Sequence, residues 1–138
     1  MWMRGIPRTA KYSIIEKYEI LLDLLNLEKF NTGTSPYQDV TLLVELRNAL
    51  IHYEPKNIMS SSSDNYSFKN AHKFEKKLHN KFDENKFYKG TGTAYFPNKL
   101  LGAHCAAWAV KSAVAYTDTF FDKLNIIATY DHVRSKLL

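Results

Sequence analysis

The chain has 138 residues, 45% of them hydrophobic and 24% charged, the balance of a globular protein with a core. That balance excludes a fibrous or extensively disordered chain, and the single cysteine, Cys105, excludes an intrachain disulfide. A formal net charge of +5 permits a polyanionic partner such as nucleic acid without requiring one.

Five glycines and four prolines predict few turns and long elements in a single domain, residues 1–138. Met1 to Ala10 is an irregular lead-in containing Gly5 and Pro7, and it lacks the apolar core of a signal peptide. From Lys11 a helical period takes over. Ile14, Tyr18, Leu21, Leu22 and Leu25 recur at spacings of three and four, predicting a first helix from about Thr9 to Phe30. The cluster Asn31-Thr32-Gly33-Thr34-Ser35-Pro36 stops it. A second helix starts at Gln38 or Asp39, with Val40, Leu43, Val44, Leu46, Leu50 and Ile51 as apolar positions. It finishes near Tyr53, because Pro55 disfavours helical geometry at Glu54.

Asn57 to Asn65, with four consecutive serines, is a polar loop. Phe68 to Phe82 is a third helix with Phe68, Ala71, Phe74, Leu78 and Phe82 on one face. Seven lysines between Lys69 and Lys89 face only Glu75, Asp83 and Glu84, which is most of the chain's excess charge. Thr93 to Phe96 is the one extended-looking stretch. Pro97-Asn98 then opens the longest element, Leu100 to Leu124, with Asn98 as its N-cap. Its many alanines predict close helix packing, and Cys105 within it is read as a buried structural thiol. Ile126 to Leu138 is a last short helix, with Ile127, Tyr130, Val133 and Leu137 on one face. The expected fold is all-α, an antiparallel four-helix bundle with a short additional C-terminal helix. The apolar run Leu100 to Val110 is far short of the roughly 20 residues of a membrane span. A cytoplasmic protein with no membrane partner is expected.

Chemistry concentrates in Leu46-Arg47-Asn48-Ala49-Leu50-Ile51-His52-Tyr53-Glu54-Pro55. On a helix, Asn48 and His52 lie about 40° apart, one turn from each other. Arg47 lies about 140° from His52 and roughly 7.5 Å lower along the axis. It falls on the stripe of Val40, Leu43, Val44 and Ile51, where its stem packs on apolar neighbours and its guanidinium needs an anionic or carbonyl partner. An imidazole at a helix C-terminus is favoured in its protonated form, and histidine titrates near neutrality. A proton-shuttling imidazole and a guanidinium fork are the parts that transesterification of RNA needs, with no metal or cofactor. Glu54 is either a second acid/base group or a solvated residue. A structural reading stands beside this one: histidine is favourable in a last helical turn for electrostatic reasons alone, and helical arginines often form ion pairs.

Arg47-Asn48-x-x-x-His52 resembles the R-(polar)-x3-H signature of HEPN domains, all-α bundles of which many are metal-independent endoribonucleases. The surroundings agree over roughly Ile14 to Leu124, through Glu16-Lys17-Tyr18, Leu21-Leu22, Cys105-Ala106-Ala107-Trp108-Ala109 and Phe120-Phe121. The resemblance implies His52 as general base or acid, Arg47 on the scissile phosphate, and Asn48 orienting one of them or binding substrate. It implies RNA as substrate and a homodimer whose two motifs form one composite site. A toxin or defence role with a cognate antitoxin or regulatory protein is also implied. A toxin subgroup carries tyrosine two positions after the histidine; here Tyr53 follows directly and Glu54 takes the second position. Other HEPN domains are inactive, so a non-catalytic module binding a protein or nucleotide is the alternative.

Two further groups have weaker readings. Lys69 to Lys89, with Phe74, Phe82, Phe87 and Tyr88, is an RNA-phosphate surface or, on the favoured reading, an amphipathic helix with core aromatics and solvated lysines. His72 with His79, and His104 with Cys105, lack the spacing of a metal site.

Overall fold

A computed structural model describes residues 11–53 and 73–136, which are largely helical and contain no strand. The helices are α1 (Ile14–Leu24), α2 (Tyr37–Ile51), α3 (residues 73–78) and α4 (Ala103–Lys123). A wide turn at Tyr95–Lys99 precedes α4, and a 3-10 segment at Asp131–Lys136 follows it. The expected lead-in Met1 to Ala10, the serine loop, Phe68, Ala71 and Leu137 lie outside the described residues. None of the helices among the described residues is long and apolar enough to cross a membrane.

The helix ends follow local hydrogen bonding. Ser13 and Glu16 form a reciprocal capping box at the start of α1: the Ser13 Oγ accepts from the Glu16 amide at 3.2 Å, and the Glu16 carboxylate accepts from the Ser13 amide at 2.6 Å. The expected end at Phe30 is corrected to Leu24. Asn26 adopts φ 53°, so the Leu27 amide reaches the Leu22 carbonyl at 2.9 Å and the Asn26 amide reaches Asp23 at 3.1 Å. This is a Schellman stop with asparagine in the left-handed position, which its short polar side chain tolerates. The end of α4 repeats it: Asn125 takes φ 55°, and Ile126 bonds back to Phe121 at 3.2 Å. The predicted C-terminal helix is therefore interrupted. Ile127 is exposed, and only Asp131–Lys136 coils again, as a 3-10 segment. At the start of α4, Asn98 belongs to the preceding turn and is not the N-cap.

The described residues group into two compact units: those up to Thr41 with those from Ala113 onward, and those from Leu42 to Ser112. In the first unit the core is Ile15, Leu22, Phe30, Val40, Tyr116 and Phe120. The expected stripe on α1 is shifted by this packing: Ile15 and Leu22 are buried, while Ile14, Leu21 and Leu25 are exposed. Phe30 stacks on Tyr116 at 4.4 Å, and Tyr18 meets Phe120 edge-on at 4.6 Å. Lys123 lies over the Phe30 ring at 5.6 Å and reaches Glu28 at 3.5 Å.

In the second unit Leu42, Leu46 and Ala49 of α2 pack with Phe74 and Leu78 of α3, with Tyr95, Phe96 and Leu100, and with Cys105 of α4. Each fully buried leucine contributes about 2 kcal/mol. Phe82 covers Trp108 at 5.5 Å, and Lys73 pairs with Glu45 at 2.8 Å. Burial pushes the Tyr95 phenol up to about 12 and raises the Cys105 thiol, so both stay neutral near pH 7 and serve as core. Most alanines of α4 do not make the close contacts their abundance predicts. Ala103, Ala106, Ala107 and Ala115 are exposed, and Cys105, Ser112, Tyr116 and Phe120 form the buried stripe.

The Tyr116 hydroxyl is buried without a hydrogen-bond partner among the described residues. Tyr116→Phe keeps the ring contacts and removes the unsatisfied group, so thermal denaturation should find it as stable as the parent or up to about 2 kcal/mol more stable. A clear loss of stability would mean that the hydroxyl has a partner.

Candidate functional site

Burying Leu42, Leu46 and Ala49 fixes the rotation of α2 about its axis. Those three positions fall within about 60° of one another on the helical wheel. The opposite side then carries Arg47, Asn48, Ile51 and His52, all exposed. The expectation that Arg47 packs its stem into an apolar stripe is thereby corrected. Val40 in the first turn is buried, but Leu43 and Val44 are only half-buried, Arg47 is exposed and Ile51 is 57% exposed, so the stripe reaches water at the level of Arg47 and the guanidinium carries no burial penalty.

Arg47 and Asn48 touch: the Arg47 Nη1 donates to the Asn48 Oδ1 at 3.0 Å. Among the described residues Arg47 has no carboxylate partner within ion-pair distance. His52 lies one residue beyond α2, and its amide donates to the Asn48 carbonyl at 3.1 Å. Asn48 is therefore bonded through its side chain to Arg47 and through its backbone to His52. Tyr53 fixes the end of this turn by placing its ring edge-on to buried Phe96 at 5.8 Å, and its amide donates to Leu50 at 3.2 Å. Glu54, the other acid/base candidate, lies outside the described residues.

The remaining candidates separate by burial. Phe74 is core and Phe82 packs on Trp108, as the amphipathic reading of the lysine-rich stretch requires. Phe87 and Tyr88 do not follow that reading; both are exposed. The His79 Nδ1 lies 3.1 Å from the Glu75 carbonyl oxygen, and His72 lies outside the described residues. Among the described residues no three histidine, cysteine, aspartate or glutamate side chains are grouped as metal ligands.

One polar network gave no signal in the sequence. Arg134 donates from Nη1 and Nη2 to the two Asp118 oxygens at 2.7 and 2.9 Å, and from Nε to Asp131 at 2.8 Å. The Tyr130 hydroxyl donates to Asp118 at 2.6 Å and meets the Thr117 hydroxyl at 2.8 Å. The hydrogen bonds from Arg134, then that from Tyr130, hold the Asp118 carboxyl below the usual aspartate range. Asp118, Asp131 and Arg134 border an open depression of about 580 Å3 with Asp122, Asn125, Ile126 and Ile127 on its walls. Asp118 and Arg134 satisfy each other, which makes the network a tie between α4 and the 3-10 segment. The 16 residues separating them follow no short-range spacing rule.

No family model, curated protein or solved structure matches the chain.

Arg47→Ala should change stability by no more than about 0.5 kcal/mol in chemical denaturation, whereas Tyr53→Ala should cost about 1 kcal/mol through its lost contact with Phe96. A large loss for Arg47→Ala would reveal a structural ion pair. Asp118 has a lowered folded-state pKa, so its contribution is present above the unfolded value of about 4 and is lost as pH falls through the folded value. Asp118→Asn should therefore melt a few degrees below the parent at pH 7, with the gap closing under acid. A gap independent of pH would sink this account.

Proposed function

We propose that the chain is a HEPN-like, metal-independent endoribonuclease that works as a homodimer, with Arg47, Asn48 and His52 of both copies forming one site. The observation that carries it is the Arg47–Asn48 hydrogen bond on the exposed turn of α2 that ends at His52. The motif of the sequence is thus a contiguous, solvent-facing set in which the asparagine holds the guanidinium. On this reading the helices belong to one domain arranged as a four-helix bundle.

The chemistry sets the requirement for two copies. In transesterification the ribose 2′-oxygen attacks phosphorus while the 5′-oxygen departs, leaving a 2′,3′-cyclic phosphate. One group must take the 2′-hydroxyl proton and another must protonate the leaving oxygen. One described motif supplies a single imidazole; two facing motifs supply both the base and the acid. Arg47 neutralises the charge that builds on the non-bridging oxygens, where a planar fork is better suited than a point charge. Asn48 keeps that fork directed. Ile51, exposed between Asn48 and His52 in sequence, gives the two copies an apolar contact beside the polar groups.

A toxin or defence role, controlled by an antitoxin or regulatory protein, fits an RNase of this kind. The purified protein should cut RNA in EDTA and leave cyclic-phosphate ends. His52→Ala and Arg47→Ala should each lower the rate by about 10²- to 10⁴-fold. Adding excess His52→Ala protein to wild type should lower the activity, because a mixed dimer retains only one of the two imidazoles that serve as base and acid. Undiminished cutting by both variants, or cutting that EDTA stops, rejects the proposal. An inert protein that still binds RNA or a protein would be the non-catalytic module.

A further inference from the structure

We infer that the turn formed by Lys86, Phe87, Tyr88 and Lys89 is a contact site for an unpaired RNA strand, with Phe87 stacking on a base and the two lysines meeting adjacent phosphates. RNA as the ligand rests on the proposed function; the site itself rests on three separate observations.

The first is exposure. Phe87 is 90% exposed, more than any other large hydrophobic side chain among the described residues, and Tyr88 beside it is 37% exposed. A phenylalanine left in water forgoes about 2 kcal/mol of burial. Phe87 and Tyr88 are the aromatics of the lysine-rich stretch that the core does not take up, Phe87 the more fully exposed of the two.

The second is rigidity. Asn85 organises the turn. Its Oδ1 accepts from the Phe87 amide at 3.1 Å, and its backbone carbonyl accepts from Tyr88 at 3.0 Å and Lys89 at 3.1 Å. The Thr91 hydroxyl closes the turn by donating to the Tyr88 carbonyl at 2.7 Å. Asn85 is in turn pinned to the segment before α4. Its amide donates to Lys99 at 2.7 Å and its Nδ2 to Leu101 at 2.5 Å. Gly102 leaves room for it: a Cβ there would stand 3.3 Å from the Asn85 Cα. Phe87 is therefore displayed on a hydrogen-bonded frame, and little ordering entropy is lost when it receives a ligand.

The third is charge. Lys86 and Lys89 stand one residue before and two residues after Phe87 in the chain, are exposed, and have no ion pair among the described residues. The two preceding carboxylates, exposed Asp83 and half-buried Glu84, form no ion pair with either lysine. An exposed ring with a lysine on either side of it in the chain suits the alternation of planar base and phosphate along an unpaired strand. A duplex offers the phosphates but keeps its bases stacked inside. A stable protein partner would need a far wider apolar patch than one ring and part of another.

The test uses full-length His52→Ala protein, so that RNA stays intact, and fluorescence anisotropy with a labelled oligouridine of about 12 nucleotides. Adding Phe87→Ala should weaken binding about tenfold, while Phe87→Trp should retain it. Replacing Lys86 and Lys89 by alanine should lower the slope of log affinity against log salt by roughly 1.4. Circular dichroism should show all variants folded, since none of these side chains belongs to the core. Equal binding of oligouridine with and without the Phe87 ring overturns the site, as does a failure of the parent to bind or an equal effect on duplex RNA. Cutting by wild type with binding indifferent to Phe87 leaves the nuclease and removes this site. Binding that depends on Phe87, with no cutting by wild type, does the reverse.

Discussion

Three side chains on one side of α2 decide what its other side displays. Leu42, Leu46 and Ala49 are buried against Phe74, Leu78, Phe96 and Leu100, and a helix buried on that line has no freedom to rotate. Arg47, Asn48 and His52 are consequently turned to solvent whatever their own preferences. Tyr53 adds a second fixed point by resting its ring on Phe96 immediately after His52. The core thus specifies the backbone of the motif from both sides of its last turn, while the motif's own side chains contribute little to stability. Surface groups on a rigid helix end are held in position without being buried, which is what a binding or catalytic set requires.

Asparagine does much of the work between helices. Asn26 and Asn125 take left-handed backbone and stop α1 and α4, the role most often given to glycine. Asn85 substitutes side-chain hydrogen bonds for regular structure through residues 85–91 and ties them to Leu101. This explains how a chain with five glycines ends its helices so sharply. In the other unit the Asp118–Arg134 pair, with Tyr130 and Thr117, has the same function between α4 and the 3-10 segment. Polar side chains, locally or at long range, supply the partners that helix ends lack.

The sequence made the helices legible wherever apolar residues kept a period of three and four, and the start and finish of α2 lie close to expectation. Helix rotation was not legible. On α2 apolar residues occupy both Val40, Leu43, Val44 and Ile51 and the rival line Leu42, Leu46 and Ala49, so the pattern alone did not choose between them. Partners from α3 and from the turn at Tyr95–Lys99, remote in sequence, made the choice. The stops at Asn26 and Asn125 were hidden because asparagine serves many roles, and a helical period continues past each of them. Arg47, Asn48 and His52 were legible as residue types at a spacing. Their exposure was not, because exposure depends on the rotation. Phe87 lies five residues past the expected end of the third helix at Phe82, and at 100° per residue it would fall about 140° from Phe74, so its exposure follows from its position outside the helical face of the core aromatics.

Exposure also constrains how the motif can act. A guanidinium and an imidazole in bulk water stabilise developing charge weakly, because solvent screens them and competes for the phosphate. Catalysis on the proposed reading therefore depends on something that covers this turn and excludes water. A second copy meets that need at the level of geometry as well as proton count, since the same exposed face on each chain can pair about a two-fold axis. The apolar edge for such a pairing is Ile51, held on the same side of α2 as the polar groups by the burial of Ala49 and Leu46. The core packing that places Arg47 in water thus places beside it the side chain through which water would be removed. On the proposed reading a single copy carries one imidazole on an uncovered turn, and so holds only half of the site.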